Sequence, residues 1–187
     1  MRVISGSARG TKLKTLSGDD IIRPTTDRVK ESLFNILQFS IYDSVVLDIF
    51  CGSGSLGIEA LSRGAESCDF VDSNLQSLKI AEHNIKATHL ESKSNLVKSD
   101  YQSFLASTTK KYDIIFADPP YAAGFLKNLL KSISESKNLA DDGIIAFETS
   151  SDVDGISSVD NIELYRTAVY GNTKILFYRH RSWKSWK

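Results

Sequence analysis

Only two cysteines, Cys51 and Cys68, occur among the 187 residues, both on apolar segments and without metal-type spacing. The chain is therefore read as carrying buried reduced thiols, in keeping with the cytosol, and no metal site. No stretch approaches the roughly 18 consecutive apolar residues of a membrane helix. The opening MRVISGSARG carries charge but no apolar core, which excludes a secretory signal, so a cytoplasmic protein without a membrane partner is expected. Internal repeats and low-complexity segments are absent. Overall charge is also missing, since 23 Lys and Arg balance 23 Asp and Glu.

What is present is ordinary in amount and uneven in placement. A hydrophobic share of 41% and a charged share of 25% suit a globular chain of one domain. Residues 1–30 hold seven basic residues against three acids, and the last nine hold Arg179, Arg181, Lys184 and Lys187 with no acid. Two basic ends thus flank an acidic body, and they form a basic face if they meet in space.

From about residue 44 short β-branched runs alternate with helical periodicity, the signature of βαβ units on a parallel sheet. Strands are predicted at 45–49, 68–71, 95–98, 113–117 and 144–147, and helices at 56–63, 75–88, 101–106 and 123–134. In the helix 75–88, Leu75, Leu78, Ala81 and Ile85 make an apolar stripe. A polar loop at 150–160 precedes two runs, 162–170 and 174–180, joined by Gly171-Asn172 as an antiparallel hairpin. Ahead of the sheet, residues 1–16 read as a basic β-hairpin. A helix with Val29, Leu33, Ile36 and Leu37 at helical spacing follows, Thr26 serving as its N-cap and Asp27 suiting its dipole. One domain is expected, with 1–40 as an appendage, 44–180 as the catalytic core and 181–187 as a basic tail.

The first chemically informative segment runs Val45-Val46-Leu47-Asp48-Ile49-Phe50-Cys51-Gly52-Ser53-Gly54-Ser55-Leu56-Gly57. A buried strand ends in an acid, and a glycine turn then enters a helix, so that backbone approaches a ligand closely at a helix N-terminus. The glycines satisfy G-x-G-x-x-G, and by themselves they leave a dinucleotide dehydrogenase and an S-adenosylmethionine enzyme both open. Asp48 favours the second, because a strand-end carboxylate there suits a cationic methionine moiety and offers a pyrophosphate nothing. Asp72 ends the next strand, where a carboxylate accepts ribose hydroxyls in either class. Asp100 ends the third strand and suits an adenine amino group, with Tyr101 placed to stack; the alternative is an N-cap for the following helix.

The segment Asp113-Ile114-Ile115-Phe116-Ala117-Asp118-Pro119-Pro120-Tyr121 narrows the reading most. Two prolines fix the backbone and remove two N–H donors, leaving carbonyl acceptors beside a carboxylate. An exocyclic NH₂ has two hydrogens to give, one to Asp118 and one to the Pro119 carbonyl. Tyr121 supplies a face for stacking a base, a contact worth about 1–3 kcal/mol. Positive charge develops on the nitrogen as it is methylated, and Asp118 stands to stabilise it.

With these residues in hand, the chain resembles the bacterial 16S ribosomal RNA guanine-N2 methyltransferases of the RsmD type. The resemblance rests on Arg2-Val3-Ile4-Ser5-Gly6 to Arg9-Gly10, on Arg23-Pro24-Thr25-Thr26-Asp27-Arg28-Val29 through Asn35, on Leu47-Asp48 through Leu61, on Asp118-Pro119-Pro120-Tyr121, and on Tyr170-Gly171-Asn172-Thr173-Lys174 to Arg179. It implies a class I, Rossmann-like methyltransferase fold: a mainly parallel seven-stranded sheet, an antiparallel C-terminal hairpin edge, and an N-terminal hairpin plus helix. It also implies S-adenosylmethionine as methyl donor and a 16S guanine, in an assembling small subunit, as acceptor, with the enzyme a monomer. Carried over by position, Asp118, Pro119, Pro120 and Tyr121 form the amine site. Asp48, Phe50, Gly52, Gly54, Asp72, Asp100 and Tyr101 form the cofactor site, over which the Thr25–Arg28 region closes, bringing Thr26 and Arg28. Arg2, Arg9, Lys12, Arg23 and Arg28 are expected to grip RNA phosphates. The rival readings are a DNA adenine-N6 methyltransferase, a protein glutamine methyltransferase, an NAD-dependent dehydrogenase and a non-catalytic ribosome-assembly binder.

Overall fold

A computed structural model of the chain describes residues 1–15, 24–119 and 124–182, and for 24–26 the backbone alone. The elements run α1 (Pro24–Ile36), β1 (Val45–Ile49), α2 (Ser55–Ser62), β2 (Ser67–Asp72), α3 (Leu75–Ala87), β3 (Ser94–Lys98), α4 (Tyr101–Ser107), β4 (Tyr112–Ala117), α5 (Phe125–Ser136), β5 (Leu139–Ser150), β6 (Ser158–Val159), β7 (Ile162–Tyr170) and β8 (Thr173–His180). The strands join in one sheet of order β3-β2-β1-β4-β5-β8-β7-β6. β1 to β5 are parallel, and β8, β7 and β6 extend the sheet antiparallel. The chain leaves β1 toward β2 and β3, then returns to β4 on β1's other side. That reversal opens a crevice at the C-terminal strand ends, between β1 and β4.

The sheet is covered on both faces. Even-numbered strand residues such as Val46, Phe70, Ile114 and Phe116 pack against α1, α2 and α3. Leu47, Ile49, Ile115 and Phe147 pack on the opposite face against Phe104 and Leu105 of α4 and Leu126, Leu129 and Leu130 of α5. Helix α1 adheres through Val29, Leu33 and Phe34, and the Phe34 ring lies 5.5 Å from that of Phe116. Burying each such side chain contributes roughly 1.5–3 kcal/mol.

Several expectations are adjusted. The sheet has an eighth strand, β6, inside the segment expected as a polar loop; two residues suffice because β7 offers them an edge. β5 is much longer than 144–147, because its last residues, Glu148 to Ser150, are held by antiparallel β8. The N-terminal ribbon makes only one ladder bridge, Arg2 with Lys12, and its turn is tied down elsewhere: Ser7 N donates to Ser62 O at 2.8 Å. A Cβ on Gly6 would stand 1.8 Å from that same Ser62 oxygen, so glycine permits the close seating. Helix α1 begins at Pro24, so Thr26 lies within it and is not its N-cap; proline fits a first helical position because its missing N–H would be unpaired there anyway. Leu75 is 51% exposed, since it opens α3 at the sheet's edge beside the N-cap Asn74, while Leu78, Ala81 and Ile85 are buried as expected.

Candidate active site

Acids gather along the C-terminal edge of the sheet. In spatial order Asp100 follows β3, Asp72 ends β2, Asp48 lies one residue before the end of β1, Asp118 follows β4, and Glu148 lies near the end of β5. The glycine turn fills the middle. Gly52 and Gly54 have φ of +54° and +76°, left-handed values that a side chain would strain. Gly57 plays a different part: a Cβ there would meet Phe70 Cε1 at 2.4 Å, so its bareness lets α2 lie against β2.

Each acid on the β1–β3 side is held by backbone. Asp48 is 3% exposed beneath the turn, and its Oδ2 accepts from Gly57 N at 2.9 Å. Burial pushes its pKa up to about 8; the Gly57 hydrogen bond opposes the rise, and Asp118 and Asp72 add to it. Asp72 accepts from Gly52 N at 3.0 Å through Oδ2 and from Asn74 N at 2.8 Å through Oδ1, so it braces the turn as well as facing it. Asp100 caps α4, accepting from Ser103 N at 2.9 Å, which holds its carboxyl below the usual carboxylate range. The capping alternative thus describes what Asp100 does within the chain. Tyr101 joins Phe50 and Phe125 in an aromatic trio with centroids 5.4–6.1 Å apart. Phe50 itself has φ +63°, a left-handed conformation that turns the chain out of β1 into the glycine segment.

On the other side stand Asp118 and Glu148. Asp118 as a residue is exposed, yet its carboxyl is crowded by surrounding protein, and that desolvation pushes its pKa up to about 6. Glu148, half-buried, is pushed up to about 8 by desolvation and by the nearby Asp118. Pro119 is buried directly after Asp118. Pro120, Tyr121 and Arg23 lie outside the described residues, as do Trp183 to Lys187 of the tail.

The basic residues converge beside this edge. Arg2, Arg9, Lys12 and Arg28 are exposed and line an open groove of about 1310 Å³, together with Lys14, Arg63 and His83, which were not among the residues expected to grip RNA. Residues of the N-terminal ribbon, Met1 to Ser5, Arg9, Gly10 and Lys12 to Lys14, supply much of its lining. Arg63 of this lining also belongs to a buried ionic knot. Glu59, 0% exposed, accepts from Ile4 N at 2.7 Å, Ser5 N at 3.0 Å and Arg63 Nε at 2.8 Å, and lies 3.5 Å from Lys30 Nζ. Lys30 also donates to Arg2 O at 2.6 Å and Ser55 Oγ at 3.2 Å, and burial lowers its pKa against the pull of Glu59. Asn84, fully buried on α3, donates to Ser53 O in the glycine turn at 2.9 Å and exchanges hydrogen bonds with Lys14 backbone. Sequence patterning missed Glu59, Lys30 and Asn84, because only distant backbone gives a polar residue on an apolar helix face its purpose.

A seven-plus-one-stranded sheet in this order, with a glycine turn after β1 and an Asp-Pro pair after β4, defines a class I methyltransferase. More narrowly, the chain belongs to the RsmD-type rRNA methyltransferase family, whose model, described as "Conserved hypothetical protein 95", matches residues 1–179. It is 40% identical to "Putative rRNA methyltransferase YlbH" of Bacillus subtilis over 97% of this chain and 100% of that one. It is 35% identical to "Ribosomal RNA small subunit methyltransferase D" of Escherichia coli, across 97% of this chain and 91% of the other. The solved "Putative methyltransferase yhhF" from Escherichia coli superposes with a TM-score of 0.85 at 32% identity, covering 96% of this chain and 97% of that one. No described helix is long and apolar enough to cross a membrane.

Proposed function

We propose that this chain transfers a methyl group from S-adenosylmethionine to the exocyclic N2 of a guanine in 16S ribosomal RNA, acting as a monomer on an assembling small subunit. The observation that carries the reading is the placement of Asp118 and Pro119 at the switch point. Asp118 and Pro119 directly follow β4, the strand paired with β1, and Asp118 is close enough to Asp48 to raise its pKa.

The residues fit the cofactor. Two left-handed glycines leave the turn bare, and Asp48 is a buried carboxylate that a neighbouring cation would relieve. Asp72 keeps lone pairs for ribose hydroxyls beyond the two that its backbone partners use. Asp100 and Tyr101 are assigned the adenine, and Thr26 and Arg28 the closing edge. Once bound, S-adenosylmethionine supplies a methyl already activated by its sulfonium, so little general-base strength is asked of the protein. Asp118 takes one hydrogen of the target amine and the Pro119 carbonyl the other, which turns the nitrogen lone pair toward the methyl. Asp118 would accept the proton shed by the methylated nitrogen and release it to solvent.

Arg2, Arg9, Lys12, Arg23 and Arg28 are assigned to RNA phosphates; the open groove and its added cation Lys14 support that role. The guanine is unstacked and rotated into the site, as chemistry on a paired or stacked base requires. Asp118→Ala should cut turnover by about 10²- to 10⁴-fold while S-adenosylmethionine still binds. Equal loss of both would remove the assigned role. Mass mapping of 16S RNA from cells lacking the protein should reveal one guanine without its N2 methyl.

A further inference from the structure

We propose that Glu148 is a specificity-determining residue: it accepts the N1–H of the target guanine beside the N2 amine held by Asp118. The inference deepens the guanine reading above and rests on it.

The parallel register pairs Phe116 with Ala146 and Ala117 with Phe147. The next residues, Asp118 and Glu148, therefore leave neighbouring strands side by side, about 4.8 Å apart at the backbone. They also point the same way. Phe116 and Ala146 lie on the sheet face covered by α1, and side chains two residues further along return to that face. Ile175, paired with Glu148 on the other side, is buried on this face too. Glu148 is half-buried, and neither hydrogen bond nor ion pair occupies its carboxylate among the described residues. A carboxylate so placed costs stability unless a donor arrives.

The order of strands says which donor. With β1 and its glycine turn on one side of β4 and Glu148 on the other, an amine held at Asp118 and aimed at β1 leaves the rest of its ring over β5. Guanine presents two adjacent donors on that edge, N2–H and N1–H, to match two adjacent acceptors. Adenine in the mirrored pose, and 2,6-diaminopurine, present an acceptor at N1 and face the ionised Glu148 lone pair to lone pair, a mismatch expressed above about pH 8, where the carboxyl has lost its proton. The raised pKa of Glu148 agrees with a group that lacks donors of its own. A carboxylate drawing on N1–H also pushes ring electron density toward N2.

The test uses small-subunit particles from cells lacking the enzyme, rebuilt with RNA carrying either guanine or 2,6-diaminopurine at the mapped position. Methyl transfer to N2 is read as kcat/KM for each at about pH 8.5, where Glu148 is ionised. The wild type should prefer guanine by about tenfold to a hundredfold, the size of one good base-edge contact. Glu148→Gln, whose amide also donates, should bring the two substrates near parity while S-adenosylmethionine binds with unchanged Kd. Equal rates on both bases for the wild type, an unchanged ratio in the variant, or a variant defect confined to cofactor affinity would each overturn the assignment to Glu148. Absence of N2 transfer to guanine by the wild type would instead overturn the guanine reading itself.

Discussion

On the β1–β3 side of the switch point, the chain's own backbone answers each acid: Gly57 donates to Asp48, Gly52 and Asn74 to Asp72, and Ser103 to Asp100. On the β4–β5 side, Asp118 and Glu148 have no hydrogen-bond partner among the described residues; desolvation raises the cost of ionising both, and nearby Asp118 adds to that of Glu148. The two regions carry the same residue types at equivalent strand ends, so the contrast is one of satisfaction and not of composition. Acids whose hydrogen bonds are made in the free protein fix the shape of a turn. Acids left wanting keep their capacity for a group that arrives, and the protein carries the cost of that reserve in stability.

The sharpest way to break the contrast is to exchange acid for amide on each side. Asp118→Asn keeps the shape but turns one acceptor into a donor that opposes the amine. It should lower kcat by about 10²-fold or more, with cofactor Kd nearly unchanged. Asp72→Ala should do the reverse. It frees Gly52 N and Asn74 N, loosens the turn and weakens S-adenosylmethionine by about tenfold to a hundredfold, while kcat at saturating cofactor holds within about threefold. Isothermal titration beside steady-state kinetics separates the two. Matching effects on kcat and Kd from both substitutions would erase the distinction between the regions.

A smaller effect follows from pH. Asp118 accepts amine hydrogens as a carboxylate, and desolvation holds its pKa at about 6. Log kcat should therefore climb with unit slope below about pH 6 and level off above it. A rate independent of pH between 5 and 7 would mean that the charge of Asp118 contributes nothing.

How much of this contrast was legible beforehand differs between the regions. The glycine turn, Asp48, Asp72 and Asp118 could be found from sequence, because each stands at a fixed offset from a run of β-branched residues and backbone chemistry alone gives the offset meaning. β1 and β7 were placed to the residue for the same reason, their alternation and turn signals being local. Glu148 was invisible. Nothing in Ile145-Ala146-Phe147-Glu148-Thr149 marks an acid as special until the register of β5 against β4 sets it beside Asp118, and β8 holds that stretch of chain in place. Glu59, Lys30 and Asn84 were equally hidden, since apart from Arg63 their partners lie 25 to 70 residues away. The basic ends were legible as charge, but it took Ser62, Glu59 and Asn84 to seat the N-terminal ribbon so that the charges line a groove.

The smallest expected effect tests the cost of the reserve directly, through stability. Glu148 is protonated up to about pH 8 when folded and only to about pH 4 when unfolded, so between those values the folded chain binds the extra proton. Stability attributable to this group is then present at low pH and lost as pH rises toward 8. Glu148→Gln has nothing to titrate. Its melting temperature should match the wild type near pH 4.5 and exceed it by about 2–8 °C at pH 8, on the order of 1–2 kcal/mol. Asp100 runs the other way. Its folded pKa is lowered by the Ser103 N–H, so Asp100→Ala should melt below the wild type at neutral pH, and the gap should close as pH falls through the carboxylate range. In calorimetric scans the two gaps should therefore open in opposite directions as pH rises: that of Glu148→Gln between about pH 4.5 and 8, and that of Asp100→Ala below about pH 4. If Glu148→Gln instead loses stability at pH 8, the carboxylate is already answered within the folded chain, and Glu148 belongs with the satisfied acids of β1–β3.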